Sequence, residues 1–183
     1  MRSFAYSMRL ATLLLLMGNN TSSQADLDDF VEGAAITEFG KYADVATHSI
    51  KNTMVFNVAF DVAQAGDVGK INRKFDSLAR FINMHSAAGV SKEHIQLALV
   101  VHGKASLDLL DHATYQKANN VDNANKALIE ALLANNVQVI LCGQTAAAYD
   151  IALPQLIKGV QIELSAMTAH AVLQQQGYTL NPF

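Results

Sequence analysis

Cys142 is the only cysteine in the 183-residue chain, and it ends the apolar run 137–141. Gly143, Gln144 and Thr145 follow, and then an alanine-rich segment of helical character. The nucleophilic form of cysteine is the thiolate, which a helix N-terminus, a lysine or a protonated histidine favours. The sequence offers a candidate for each: the helix beginning near Thr145, Lys104 and His102. A thiolate so placed can attack sulfane sulfur and hold it as a persulfide. A cysteine in an apolar strand can equally pack as a small hydrophobe, so both readings stand. His102 follows the apolar run 95–101 and precedes Gly103 and Lys104. It suits acid/base work or a structural hydrogen bond to backbone. Ser165 suits a helix N-cap; no G-x-S-x-G elbow precedes it, which argues against a serine hydrolase.

Other motifs fail on spacing. Residues 66–70, GDVGK, look like a phosphate loop but hold two residues between the glycines where four are needed, and Ile71 stands in place of Ser or Thr. They read as a loop into a helix. The six histidines lack H-E-x-x-H spacing, and one cysteine makes no zinc ribbon. Asp26, Asp28 and Asp29 lack the glycine and distal glutamate of a calcium loop and read as a solvated acidic start. No metal and no cofactor is expected.

These residues need elements to position them. Residues 54–62 form a nearly continuous apolar run, as does 95–101; both read as strands covered on two faces. Residues 71–88 carry Ile71, Phe75, Leu78, Ile82 and His85 at helical spacing, with Gly89 placed to end the helix. Ser106 suits a cap for a short helix, and residues 122–134 read as a further helix. The strand 137–141 comes next, then a helix start at 145–150, a last strand at 160–164, a helix at 167–176 capped by Ser165, and a short tail. Alternation of this kind predicts a mostly parallel sheet of about four to five strands in a three-layer α/β/α fold. Asp61, His102, Cys142 and Ser165 all fall at or just past strand C-termini, the edge where α/β proteins bind ligands.

Composition sets the surroundings. Hydrophobic residues make up 51% and charged residues 16%, enough for a substantial core. Arg2 and Arg9, the apolar stretch 10–17 and the small residues Ser23 and Ala25 predict a signal peptide over 1–25, cleaved before Asp26. The apolar stretch is shorter than the roughly 20 residues a membrane span needs. A lead-in is expected over 26–52 and the α/β domain over 53–183. Loss of Arg2 and Arg9 takes the formal charge from −3 to −5, which gives no footprint for nucleic acid and no basic helix for a membrane surface. A periplasmic or secreted location follows, where a single cysteine has no disulfide partner within the chain.

The segments 100–105 (VVHGKA) and 140–145 (ILCGQT), with Gly159, Val160, Ser165, Ala166 and a final helix, together resemble the DsrE/DsrF-like family. The resemblance extends over roughly residues 53–183. It implies a small three-layer α/β fold, homotrimers or hexamers, and an association with sulfur metabolism. In sulfur-relay members a cysteine accepts and passes on persulfide sulfur, and Cys142 is the one position here that could do so. The resulting expectation is an exported sulfane-sulfur carrier with Cys142 and His102 as its reactive pair, a sulfur donor or acceptor protein as partner, and Gly103, Lys104, Gly143, Gln144, Thr145 and Ser165 around the ligand. The alternative is a non-catalytic oligomeric module that binds a small ligand or a protein, with Cys142 structural.

Overall fold

A computed structural model describes residues 30–181. The expected signal peptide, its cleavage site, Asp26, Asp28, Asp29 and the last two residues of the tail lie outside the described residues.

Five parallel strands form one sheet: β1 (Phe56–Val62), β2 (Ile95–Val101), β3 (Gln138–Cys142), β4 (Gln161–Glu163) and β5 (Thr179–Asn181). Their spatial order is β4-β3-β2-β1-β5. Among the described residues, five α-helices connect or cover them: α1 (Arg73–Ala87), α2 (His112–Asn119), α3 (Asn125–Ala134), α4 (Gly143–Ala148) and α5 (Ala166–Gln175). The sheet and its helices are those of the expected α/β class. Three local readings change. The tail supplies β5, which pairs with β1 through Val58–Thr179 and Phe60–Asn181. Residues 112–119 form a helix because Asp111 caps it, accepting from the Thr114 N–H, and Tyr115 is buried. Ser106 caps nothing: it lies inside a 3-10 helix (Gly103–Leu109) and donates to the Gly103 carbonyl.

Successive strand residues point to opposite faces, and this divides the core in two. Val58, Phe60, Val62, Leu97, Leu99, Val101, Val139 and Leu141 face the larger core, which Phe75, Leu78 and Ile82 of α1 and Leu128, Ile129 and Leu132 of α3 complete. Ala59, Ala98, Val100 and Ile140 face the other way, against Ala169 and Leu173 of α5 and Tyr178. The chain steps from β1 out to β4 and then returns through α5 to β5 on the far side of β1. That one crossover touches β2, β3, β4 and β5. The small residues Ala59 and Ala98 let it lie close to the sheet.

Residues 30–52 lie across α1. Val31 and Tyr42 form an antiparallel bridge. The buried Asn83 side chain accepts from the Ile36 N–H and donates to the carbonyls of Ile36, Phe39 and Gly40. A second buried polar group ties the 64–72 loop to the body: Asp108 accepts from the Gly66 N–H and from Asn72 Nδ2, both at 2.8 Å. Asn72 also caps α1, accepting from the Lys74 N–H. The residues 66–70 therefore form a structural loop leading into a helix.

Candidate functional site at the C-terminal edge of the sheet

The strand register decides what meets at the edge. Val62, Val101 and Leu141 lie side by side in β1, β2 and β3. The next residues of β2 and β3 are His102 and Cys142, and the His102 N–H extends the ladder to the Val62 carbonyl. Cys142 pairs in turn with Glu163 of β4. Alternation puts Asp61, His102 and Cys142 on the same face as Ala59, Val100 and Ile140. That is the face α5 covers, and α5 brings Ala166, Met167 and His170 to the same place. A cavity of about 300 Å³ opens there, lined by Asp61, His102, Cys142, Gln144, Thr145, Ser165, Ala166, Met167 and His170.

Two glycines make the close approaches at this edge. Gly103 has φ +54°, and a Cβ there would stand 2.9 Å from the Ala63 carbonyl oxygen. A Cβ on Gly143 would stand 2.7 Å from the Glu163 carbonyl oxygen. Both therefore let neighbouring backbone pass at the sheet edge.

Cys142 is 6% exposed. Burial works to raise its thiol pKa. The Thr145 hydroxyl and the N–H groups of Thr145, Ala166 and Gln144 oppose this, and the net shift is downward. The side chain makes no formal capping bond to α4, so these donors act as dipoles close to sulfur. The Thr145 hydroxyl links the two sequence motifs. It accepts from the Gly103 N–H at 3.3 Å, which leaves its own hydrogen for the sulfur.

Asp61 stands between two histidines. Its Oδ2 meets His102 Nε2 at 3.2 Å and its Oδ1 meets His170 Nε2 at 2.8 Å. Burial raises the Asp61 pKa, but the bonds from His170 and His102 and their charges outweigh it, and the carboxyl is held below its usual range. Among the described residues, no group of three or more His, Cys, Asp or Glu side chains is placed to hold a metal ion; both imidazoles spend Nε2 on Asp61.

The fold thus gathers Cys142, His102, Gln144, Thr145 and Ser165 around one cavity. Ser165 caps α5, accepting from the Thr168 N–H, and Gln144 donates to the Leu164 carbonyl. Gly103 and Gly143 shape the backbone without lining the cavity. Lys104 is exposed and outside the lining, so the ammonium that the sequence offered to Cys142 is not at the thiol. The sequence reading did not single out His170, and it noted Asp61 only as a strand-end residue. A signal existed for each: Asp61 shares strand parity with Ala59, and His170 follows the apolar Ala169 on a helix already capped by Ser165.

A parallel sheet between helices, with a cysteine and two histidines beside a cavity at its C-terminal edge, defines a small α/β protein. The chain belongs to the DsrE/DsrF-like family, whose model matches residues 54–182. Among solved structures it is similar to MTH1491 of Methanobacterium thermoautotrophicum, a protein of unknown function. The identity is 15% and the TM-score 0.54, over 70% of this chain and 99% of that one. It is also similar to the ychN protein of E. coli, with 24% identity and a TM-score of 0.49, over 69% and 98% of the two chains. The first likeness bears on the fold alone. No curated protein matches the chain.

Proposed function

We propose that the protein accepts sulfane sulfur on Cys142 and carries it as a persulfide. The observation that carries this reading is the downward shift of the Cys142 thiol by four surrounding donors at the wall of a cavity. Family membership agrees with it, since the DsrE/DsrF-like family is related to sulfur relay. The same N–H groups that favour the thiolate suit the anionic terminal sulfur of a persulfide. Export before Asp26, assembly into a homotrimer or hexamer, and a protein donor or acceptor belong to the same proposal. The N-terminal residue of the purified protein and its mass by light scattering test the first two.

Intact-mass spectrometry after exposure to polysulfide tests the carrier role. The wild type should gain sulfur that dithiothreitol removes, and Cys142→Ser should gain none. Equal gain by both proteins, or gain by neither, refutes it.

A further inference from the structure

The carboxylate of Asp61 accepts from two imidazoles, and this fixes more than distances. An ionised carboxylate is only an acceptor, and the two histidine bonds hold Asp61 in that form. Each Nε2 that meets it therefore carries a hydrogen, and on each neutral ring Nδ1 is left with the lone pair. The two rings then differ. His170 Nδ1 is buried and has no partner among the described residues. The His102 side chain is 34% exposed and lines the cavity with Cys142.

We infer that Asp61 and His170 are positioning residues: they lock His102 as its Nε2–H tautomer, so that His102 exchanges protons with the cavity at Nδ1. His170 serves as the second post that keeps Asp61 turned toward His102. Of the groups that line the cavity with His102, the titratable ones are Asp61 of β1, Cys142 of β3 and His170 of α5. The carboxylate of Glu163 on β4 is engaged elsewhere, accepting from the Leu164 N–H.

The inference rests on the carrier reading for its chemistry. The Cys142 thiol gives its proton to His102 Nδ1. The thiolate attacks the outer sulfur of a hydropersulfide, R–S–SH. The new bond joins Sγ to that sulfur, the R–S bond to it breaks, and the electron pair leaves on R–S⁻. His102 returns the proton to that thiolate, giving R–SH and Cys142–S–SH. Nothing is oxidised or reduced overall, and no further reactant is consumed.

Two measurements test this separately from the carrier role. Nitrogen-15 NMR of the imidazoles at neutral pH reads the tautomer without any sulfur chemistry. Wild type and His170→Gln should show His102 as Nε2–H, because a glutamine amide can still donate to Asp61. His170→Ala and Asp61→Asn should show a mixture with the Nδ1–H form. Transfer from cysteine hydropersulfide, followed across pH, reads the consequence. His102→Gln should slow transfer at neutral pH by about 100-fold, the lower end for general acid–base catalysis. His170→Ala should slow it by a smaller factor than His102→Gln does, with His170→Gln recovering most of the loss. An Nδ1–H tautomer on His102 in the wild type overturns the inference, as does a His170→Gln protein as impaired as His170→Ala. So does a His102→Gln protein with the wild-type pH profile. If the wild type accepts no sulfur, the carrier reading falls and the tautomer pattern alone decides the positioning roles.

Discussion

Replacing Leu173 by alanine should open the thiol site far more than it loosens the rest of the molecule. Leu173 is 2% exposed and is the main aliphatic anchor of α5 on its face of the sheet. The strands beneath offer chiefly Ala59, Ala98, Val100 and Ile140, so little else can close over the gap. Loss of three carbons costs about 2.4 kcal/mol at about 0.8 kcal/mol each. The cavity left behind adds to that, and buried Leu→Ala changes span about 2–5 kcal/mol. A loss of about 3 kcal/mol in α5 docking raises the population of an α5-open state by roughly 100-fold. That state exposes Cys142, because Ala166, Met167 and His170 leave with the helix. The assay is native-state labelling of Cys142 by a maleimide too bulky for a 300 Å³ cavity, compared with urea unfolding followed by circular dichroism. Leu132→Ala is the control. Leu132 is as deeply buried, but on α3 against the other face. Both variants should lose comparable stability, and only Leu173→Ala should speed labelling by about two orders of magnitude, through local opening. Equal acceleration in both variants would mean that Cys142 is reached by global unfolding, and the argument that α5 alone closes the site would fail.

Thr145→Val removes the hydroxyl beside the Cys142 sulfur and leaves the Gly103 N–H without its acceptor. The thiol pKa should rise, so iodoacetamide labelling should slow at neutral pH, match wild type well above the pKa, and recover in Thr145→Ser. Gly103→Ala puts a Cβ into a left-handed conformation against the Ala63 carbonyl, and urea unfolding should show a loss of about 1–2 kcal/mol. Burial raises the Asp108 pKa, against the N–H groups of Gly66 and Asn72 that lower it. The native state therefore holds that proton more tightly than the unfolded chain does. The contribution of Asp108 is most favourable below the usual carboxylate pKa of about 4 and declines as pH rises toward the native value. Asp108→Asn lacks that decline, so its stability relative to wild type should improve between about pH 4 and pH 7 in urea titrations.

The central sheet was legible because β1, β2 and β3 are buried on both faces. Runs such as 95–101 carry a signal that depends little on context. The weaker edge elements were harder. Strand β5 is three residues long, and the exposed Leu180 gives it no apolar pattern. It is a strand because Val58, Ala59 and Phe60 offer it a free backbone edge, and that offer is made 121 residues away in the sequence. Helix α2 carries little sequence signal for a related reason: its stability comes from the Asp111 cap and the buried Tyr115, whose hydroxyl accepts from the Gly69 N–H. Ser106 was misplaced because a serine before a leucine-rich segment is a good local cap, whereas here the chain takes a 3-10 path that buries it.

The site divides along the same line. Cys142 and His102 could be found because each ends a readable strand, and their register makes them neighbours. Lys104 was attractive by sequence distance, but two residues past a strand end the chain has already turned into the 3-10 helix and the ammonium faces outward. His170 is the opposite case. It lies 28 residues beyond Cys142, on a helix whose apolar face gives it no special standing. Only the single crossover of α5 from β4 to β5 carries it back over β1, where Asp61 waits. Strand parity would have narrowed the search. Once Cys142 is assigned to the alanine-lined face, Asp61 must share that face, and a polar residue in the buried stripe of the helix covering it can meet that carboxylate. His170 is the polar residue in that stripe, between Ala169 and Leu173, so the second histidine of the site follows from topology rather than from a motif.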